Sequence, residues 1–200
     1  MDQAASGLDA STVLQRAPVN GGNESSGLLL EVAAANASVA YPTAEGVGQW
    51  AARVVNVSSE FGEGPNSWGS HQLLGPPRVY PRHGDIAQAW APGTRGTDFE
   101  FVEVEFAQPV YATAIHVFET NMPGAITRAA LWDATSNAWH TVYQAVSTMG
   151  QRAVANILQI PITDAYSRRF TTNRIRLELS QAPVAATWYE IDAIRLFGTQ

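Results

Sequence analysis

A chain of 200 residues, 46% of them hydrophobic, carries enough apolar material for one domain with a substantial core and requires no second one. A formal charge of −6 and a pI near 5.1 exclude the basic face that counterion release from a phosphate backbone needs, so no nucleic-acid partner is expected. Cysteine is absent, which removes disulfides, zinc–thiolate sites and thiol catalysis and leaves the core to packing alone.

Residues 1–26 are small and polar and read as an arm. The following "GLLLEVAAANASVAY" (27–41) is apolar enough for a strand, one that would pair with a sheet edge of its own domain or of a neighbouring chain. The expected organisation is therefore an N-terminal arm over 1–43 and a β-domain over 44–200. No apolar run approaches the roughly 18 residues of a membrane span, and the first residues lack the charged-then-apolar layout of a signal peptide. The expectation is a chain with no membrane span, whose compartment has no readable address. Three N-x-[ST] triplets, at Asn23, Asn36 and Asn56, are glycan acceptors only in a secreted chain.

"ARVVNVSS" (52–59) reads as a strand. About forty residues dense in Gly, Pro and aromatics follow it, and loops of that length in a compact domain are functional or packed by their own side chains. Strands then come quickly: 100–106, 110–119, 126–133, 138–146, 153–160, 173–180 and 188–198. Val102, Val104 and Phe106 alternate with Glu103 and Glu105, and Ile175, Leu177 and Leu179 alternate with Arg174, Arg176 and Glu178, each the signature of a half-buried strand. Short strands without long helical patterns between them predict an all-β, two-sheet sandwich.

Within this series, "HVFETNMPGAITRAALWD" (116–133) has the form of a hairpin around Pro123-Gly124, a pair suited to the middle of a type II turn. In a symmetric hairpin Glu119 and Arg128 would fall opposite each other as a cross-strand ion pair. The competing reading makes Glu119, Thr120, Asn121 and Arg128 a binding rim at the tip of a sheet.

Five stretches, "WAARVVNVSSEFG", "LLGPPRVYPRHGD", "AWAP", "FETNMPGAITR" and "TNRIRLELSQAPVAATWYEIDAIRLFG", occur in this order across roughly residues 48–198. Together they resemble the galactose-binding-like, discoidin-like domain of pappalysin-type metalloproteases, of an F-box/leucine-rich-repeat protein and of bacterial extracellular proteins. The resemblance implies an eight-stranded jelly roll with ligand loops at one end and, in many relatives, a structural calcium ion. A glutamate before the last strand serves that ion in related sandwiches, which points to Glu190. The Asp-Gly pair that often supplies a calcium ligand in the broader group is here Leu74-Gly75, a departure from the pattern.

Sugars offer apolar C–H faces to aromatic rings and hydroxyls to polar side chains, so a glycan site wants both on a concave loop surface. Trp68, His71, Tyr80, His83 and Trp90 of the long loop form such a set, joined by Asn121 and Arg128 from the rim reading. Trp68 and Trp90 can equally plug the open end of the sandwich. Asp85, Glu190 and Asp192 are the carboxylates best placed by type for a hard cation, against the plainer role of solvated surface groups. No G-x-S-x-G elbow, H-E-x-x-H motif or glycine-rich phosphate loop is present, and His71, His83, His116 and His140 have no metal spacing, so no enzyme activity is expected. Two readings of function follow: carbohydrate binding by the end loops, or docking of a protein partner in a larger assembly to which the arm lends a strand.

Overall fold

The computed structural model describes residues 41–149, 153–163, 169–181 and 187–200. The strand expected over 27–41 lies outside the described residues but for its last, Tyr41. Among them run eight strands: β1 (Val47–Trp50), β2 (Arg53–Val57), β3 (Glu100–Asn121), β4 (Ile126–Asp133), β5 (Ala138–Gln144), β6 (Asn156–Pro161), β7 (Thr172–Leu179) and β8 (Glu190–Thr199). A single turn of 3-10 helix, Ser70–Leu73, punctuates the long loop between β2 and β3. No helix among the described residues is long and apolar enough to cross a membrane.

All strand pairings are antiparallel, and they make a two-sheet β-sandwich of jelly-roll type. One sheet has the order β1-β8-β3-β6 and the other β2-β3-β7-β4-β5. Strand β3 belongs to both. Its first part pairs with β7 from Glu100 to Glu105, the register then jumps to Val110, and from Tyr111 onward the strand pairs with β8. The sequence reads as two strands here because Ala107-Gln108-Pro109 interrupts the pattern, and proline cannot donate to a ladder. In the fold that interruption is the corner at which a single strand changes sheets.

The alternating residues face inward as expected. Val102 and Val104 of β3, Ile175 and Leu177 of β7, Ile115 and Val117 beyond the corner, and Ile191 and Leu196 of β8 are fully buried in one core. Each such side chain contributes about 1.5–3 kcal/mol by leaving water, which is how a cysteine-free sandwich holds together. The β1–β8–β3–β6 sheet is covered on its other face as well, where Tyr41, Trp50, Tyr80 and Phe118 meet edge to face or tilted at centroid distances of 5.3–6.3 Å.

The expected β3–β4 hairpin does not form. Strand β7 lies between them, because β3 ends in one sheet and β4 starts in the other, and Met122–Ala125 carry the chain across. Glu119 and Arg128 are therefore not partners. Arg128 Nη1 donates to Glu178 Oε1 at 2.7 Å and its Nε to Thr141 at 2.8 Å. Glu119 is buried and accepts hydrogen bonds from the Gly124 backbone N–H at 2.9 Å and from Asn156 Nδ2 at 2.7 Å. Gly124 has φ +102°, and a Cβ there would meet Thr148 at 2.9–3.1 Å, so the crossing needs glycine on two counts. Glu119 thus fastens the crossing turn from within.

Candidate functional site

The long loop is ordered mainly by the last strand. Asp192 accepts backbone N–H groups from Arg78, Val79 and Tyr80 at 3.0, 2.9 and 2.7 Å. Two residues earlier Glu190 accepts the Ile86 N–H at 3.2 Å, and Ile191 exchanges two backbone hydrogen bonds with Trp90 at 2.8 and 3.0 Å. The side of the loop away from β8 is stitched to itself, with the Phe61 N–H bonded to the Ala91 carbonyl, the Trp68 N–H to Ala87 and the Ala91 N–H to Trp68. Residues distant in sequence are brought together as a result.

They enclose a pocket of about 270 Å³, its open mouth included, lined by Phe61, Trp68, Asp85, Ala91, Trp188 and Glu190. Phe61 stands edge-to-face with Trp68 (5.5 Å, 80°) and with Trp188 (5.3 Å, 81°), so three rings wall the site. Trp68 adopts φ +56°, a conformation that a bulky residue keeps only when its surroundings impose it, and such outliers gather at functional sites. The indole Nε1 atoms of Trp68 and Trp188 are buried without a hydrogen-bond acceptor. At the mouth Phe61 stays half exposed, and the Arg95 guanidinium lies 5.4 Å from the Trp188 ring.

The carboxyl groups meet on the polar side. Glu190 is fully buried, and Asn121 Nδ2 reaches both its Oε1 (3.4 Å) and the Trp188 carbonyl (3.3 Å). Burial pushes the Glu190 carboxyl up to about 8; the Ile86 N–H opposes this, while the charge of Asp85 and a hydrogen bond with it add to the rise. Asp192 is also raised by burial, against the pull of its three backbone donors.

Of the residues singled out from sequence, Trp68, Asp85 and Glu190 line this pocket together, with Asn121 behind Glu190. The others lie elsewhere. Trp90 is entirely buried, its Nε1 donating to the Ser59 carbonyl at 3.2 Å, and is a core plug rather than a ligand contact. Tyr80 packs in the aromatic cover of the other sheet face, and Arg128 sits on the outer face of the second sheet. His71 is in the 3-10 turn beside Gln72, and His83 is exposed. Phe61 and Trp188, two of the three ring walls, were not foreseen. A large exposed aromatic in a Gly-Glu-rich turn was the available signal for Phe61, whereas Trp188 reads as the first residue of a strand.

The three carboxylates do not fit a calcium ion as a set. Asp192 has both oxygens engaged by three amide N–H groups, and Glu190 faces N–H donors from Ile86 and Asn121. Among the described residues no group of three or more His, Asp or Glu side chains is arranged to hold a metal, while calcium takes about 6–8 oxygen ligands.

Residues 43–200 match the model of the pappalysin-1 SD scarf domain, C-terminal. The chain belongs to this family. The scarf domain is also 30% identical over 179 residues to the F-box/LRR-repeat protein 4 of Bos taurus, covering 75% of this chain and 28% of that relative, so it spans little more than a quarter of the relative's length. Its fold is similar to a chain in the crystal structure of reduced XRCC1 bound to the DNA polymerase β catalytic domain, with TM-score 0.57 and 11% identity over 77% of this chain and 100% of that chain. It is similar as well to the family 32 carbohydrate-binding module from Streptococcus pneumoniae EndoD, with TM-score 0.50 and 13% identity over 74% and 95%. At these identities the two solved structures establish the shared sandwich.

Proposed function

We propose that this scarf domain is a non-catalytic binding module that takes a carbohydrate in its loop-end pocket. The observation that carries the reading is the pocket itself: three aromatic side chains and two carboxyl groups converge on one concave site at the end of a rigid sandwich. Rings receive the C–H faces of a pyranose, and the exposed Asp85 carboxylate accepts from its hydroxyls. The carbohydrate-binding module from Streptococcus pneumoniae supports the reading to the extent that a shared fold can.

An immobilised glycan array tests it. Trp68→Ala should abolish the signal that the wild-type chain gives while its circular dichroism and melting stay close to wild type. Absence of wild-type binding to any glycan, or binding unaffected by Trp68→Ala, would remove the reading.

A second reading, docking of a protein partner, has its own observation. On the outer face of the β2–β3–β7–β4–β5 sheet Arg176 lies 3.9 Å from the Phe101 ring, and Arg174 is 5.7 and 5.6 Å from Trp132 and Trp139. Such arginine–aromatic surfaces are common in interface anchors. In that case Trp139→Ala should weaken capture of the partner and leave the glycan array unchanged.

A further inference from the structure

Three guanidinium groups share two carboxylates on the outer face of the β2–β3–β7–β4–β5 sheet. Glu103 accepts from Arg174 at 2.6 Å and from Arg176 at 2.8 Å, and Glu178 accepts from Arg176 Nε at 3.0 Å and from Arg128 at 2.7 Å. The neighbouring pair, Arg53 and Glu105, is neutral by itself. These side chains therefore leave one positive charge in excess on a chain whose formal charge is −6.

Rings hold the guanidiniums in place. Arg176 lies 3.9 Å from the centre of the Phe101 ring and 6.0 Å from that of Phe99, and Arg174 lies 5.7 and 5.6 Å from Trp132 and Trp139, whose rings are 5.1 Å apart. A guanidinium stacked on aromatic faces keeps its planar fork oriented before an acceptor arrives. The shared carboxylate is the deeper partner: the Glu103 side chain is 7% exposed, against 29% and 20% for Arg174 and Arg176. Arg174 gives it one hydrogen bond, from Nη2, and among the described residues its Nη1 bonds to nothing, although a guanidinium carries five N–H donors. Beside these cations Phe99 is half exposed.

We infer that this face docks an acidic peptide segment, its Asp or Glu carboxylates meeting Arg174 and Arg176 and its apolar side chains covering Phe99 and the Trp132–Trp139 pair. This inference rests on the docking reading above, not on the glycan pocket, and supplies that partner's chemistry. Charge complementarity carries it, because carboxylates form strong, directional bonds with guanidinium forks and meet a surplus cation here, while the chain as a whole repels them. A nucleic-acid strand needs a run of cations, and four arginines interleaved with three glutamates do not provide one.

The test pans the intact chain against a displayed library of random peptides and measures the enriched binders by fluorescence anisotropy. Asp and Glu should be enriched, and replacing a binder's carboxylates by amides should weaken it about tenfold or more, with an affinity that falls as salt is raised. Arg174→Gln should weaken the acidic binder, whereas Glu103→Gln, which releases two guanidiniums, should tighten it; a purely structural network would not give opposite signs. If either variant melts below the assay temperature, Arg176→Lys, which keeps the charge and loses the fork, should weaken the binder instead. Binders without acidic residues that are lost with Trp139→Ala overturn the acidic inference and leave the docking reading standing. Acidic binders indifferent to all three charge variants, or a heparin oligosaccharide or single-stranded DNA held more tightly by the same arginines, overturn it as well. A library that yields no binder sensitive to Trp139→Ala or to the charge variants removes both.

Discussion

The outer face of the five-stranded sheet and the loop end of the sandwich both gather carboxylates, and they treat them in opposite ways. On the sheet face Glu103, Glu105 and Glu178 alternate with arginines across neighbouring strands, each carboxylate bonded to at least one guanidinium. At the loop end Asp192 and Glu190 hang from the first residues of β8 and are held by N–H groups of the loop they organise. Cross-strand ion pairs keep a carboxylate ionised at small net gain. Amide donors hold the buried carboxyl in place and oppose the rise, but burial keeps its affinity for a proton high.

The comparison breaks most decisively at Asp192. Replacing it by Ala orphans three N–H groups, one of them buried, and unfastens residues 78–80, so urea unfolding should show a loss on the order of 3 kcal/mol. An unchanged midpoint would mean that the loop is ordered by its aromatics instead.

Glu190 tests the claim about protons. Its folded affinity is raised from 4.5 to about 8, so the folded state keeps a proton that the unfolded chain has lost, and stability should fall as pH rises from about 4.5 through about 8. Glu119 and Asp192, raised by burial, act in the same direction over the lower part of that window. Glu190→Gln should flatten the dependence and be more stable than wild type at pH 8 by on the order of 2 kcal/mol, measured by denaturant midpoints across pH. A wild-type curve that climbs from pH 5 to 8 would contradict the buried carboxyl.

The sheet face should respond less. A double-mutant cycle on Arg53 and Glu105, the exposed pair of this face, is expected to give a coupling of about 0.5–1 kcal/mol that declines in high salt. A much larger, salt-insensitive value would make this face a buried network and weaken the contrast. Smallest of all should be the effect of calcium, because the donors described do not fit it. Added to chelator-treated protein, calcium should leave the melting temperature where it was, and a clear rise would restore the ion.

Much of the sheet face was open to direct reading. The alternation of Glu103 and Glu105 with valines, and of Arg174, Arg176 and Glu178 with aliphatics, specifies which side faces water; strand pairing then sets Glu103 across from Arg176 and Glu105 across from Arg174. Of the loop end, Trp68, Asp85 and Glu190 were recognisable by type, but nothing local grouped them, or separated them from Tyr80, Trp90 and Arg128. The hairpin symmetry that paired Glu119 with Arg128 failed for a related reason: a Pro-Gly turn looks the same whether it returns a strand along its neighbour or carries the chain to the opposite sheet.

By itself, then, the amino-acid order determined the strands from β2 to β8 apart from the continuity of β3, their inward faces, the absence of thiol chemistry and, through its resemblance to discoidin-like domains, the jelly roll, while β1 was not read from it. These follow from period-two patterning and composition, which are properties of neighbouring residues. Only the tertiary structure decided that β3 turns a corner between sheets, that Trp188 joins Phe61 and Trp68 across more than a hundred residues, and that Glu190 lies buried against Asp85. Burial and proton affinity depend on what distant segments place around a side chain, and that is settled only when the last strand closes on the loop.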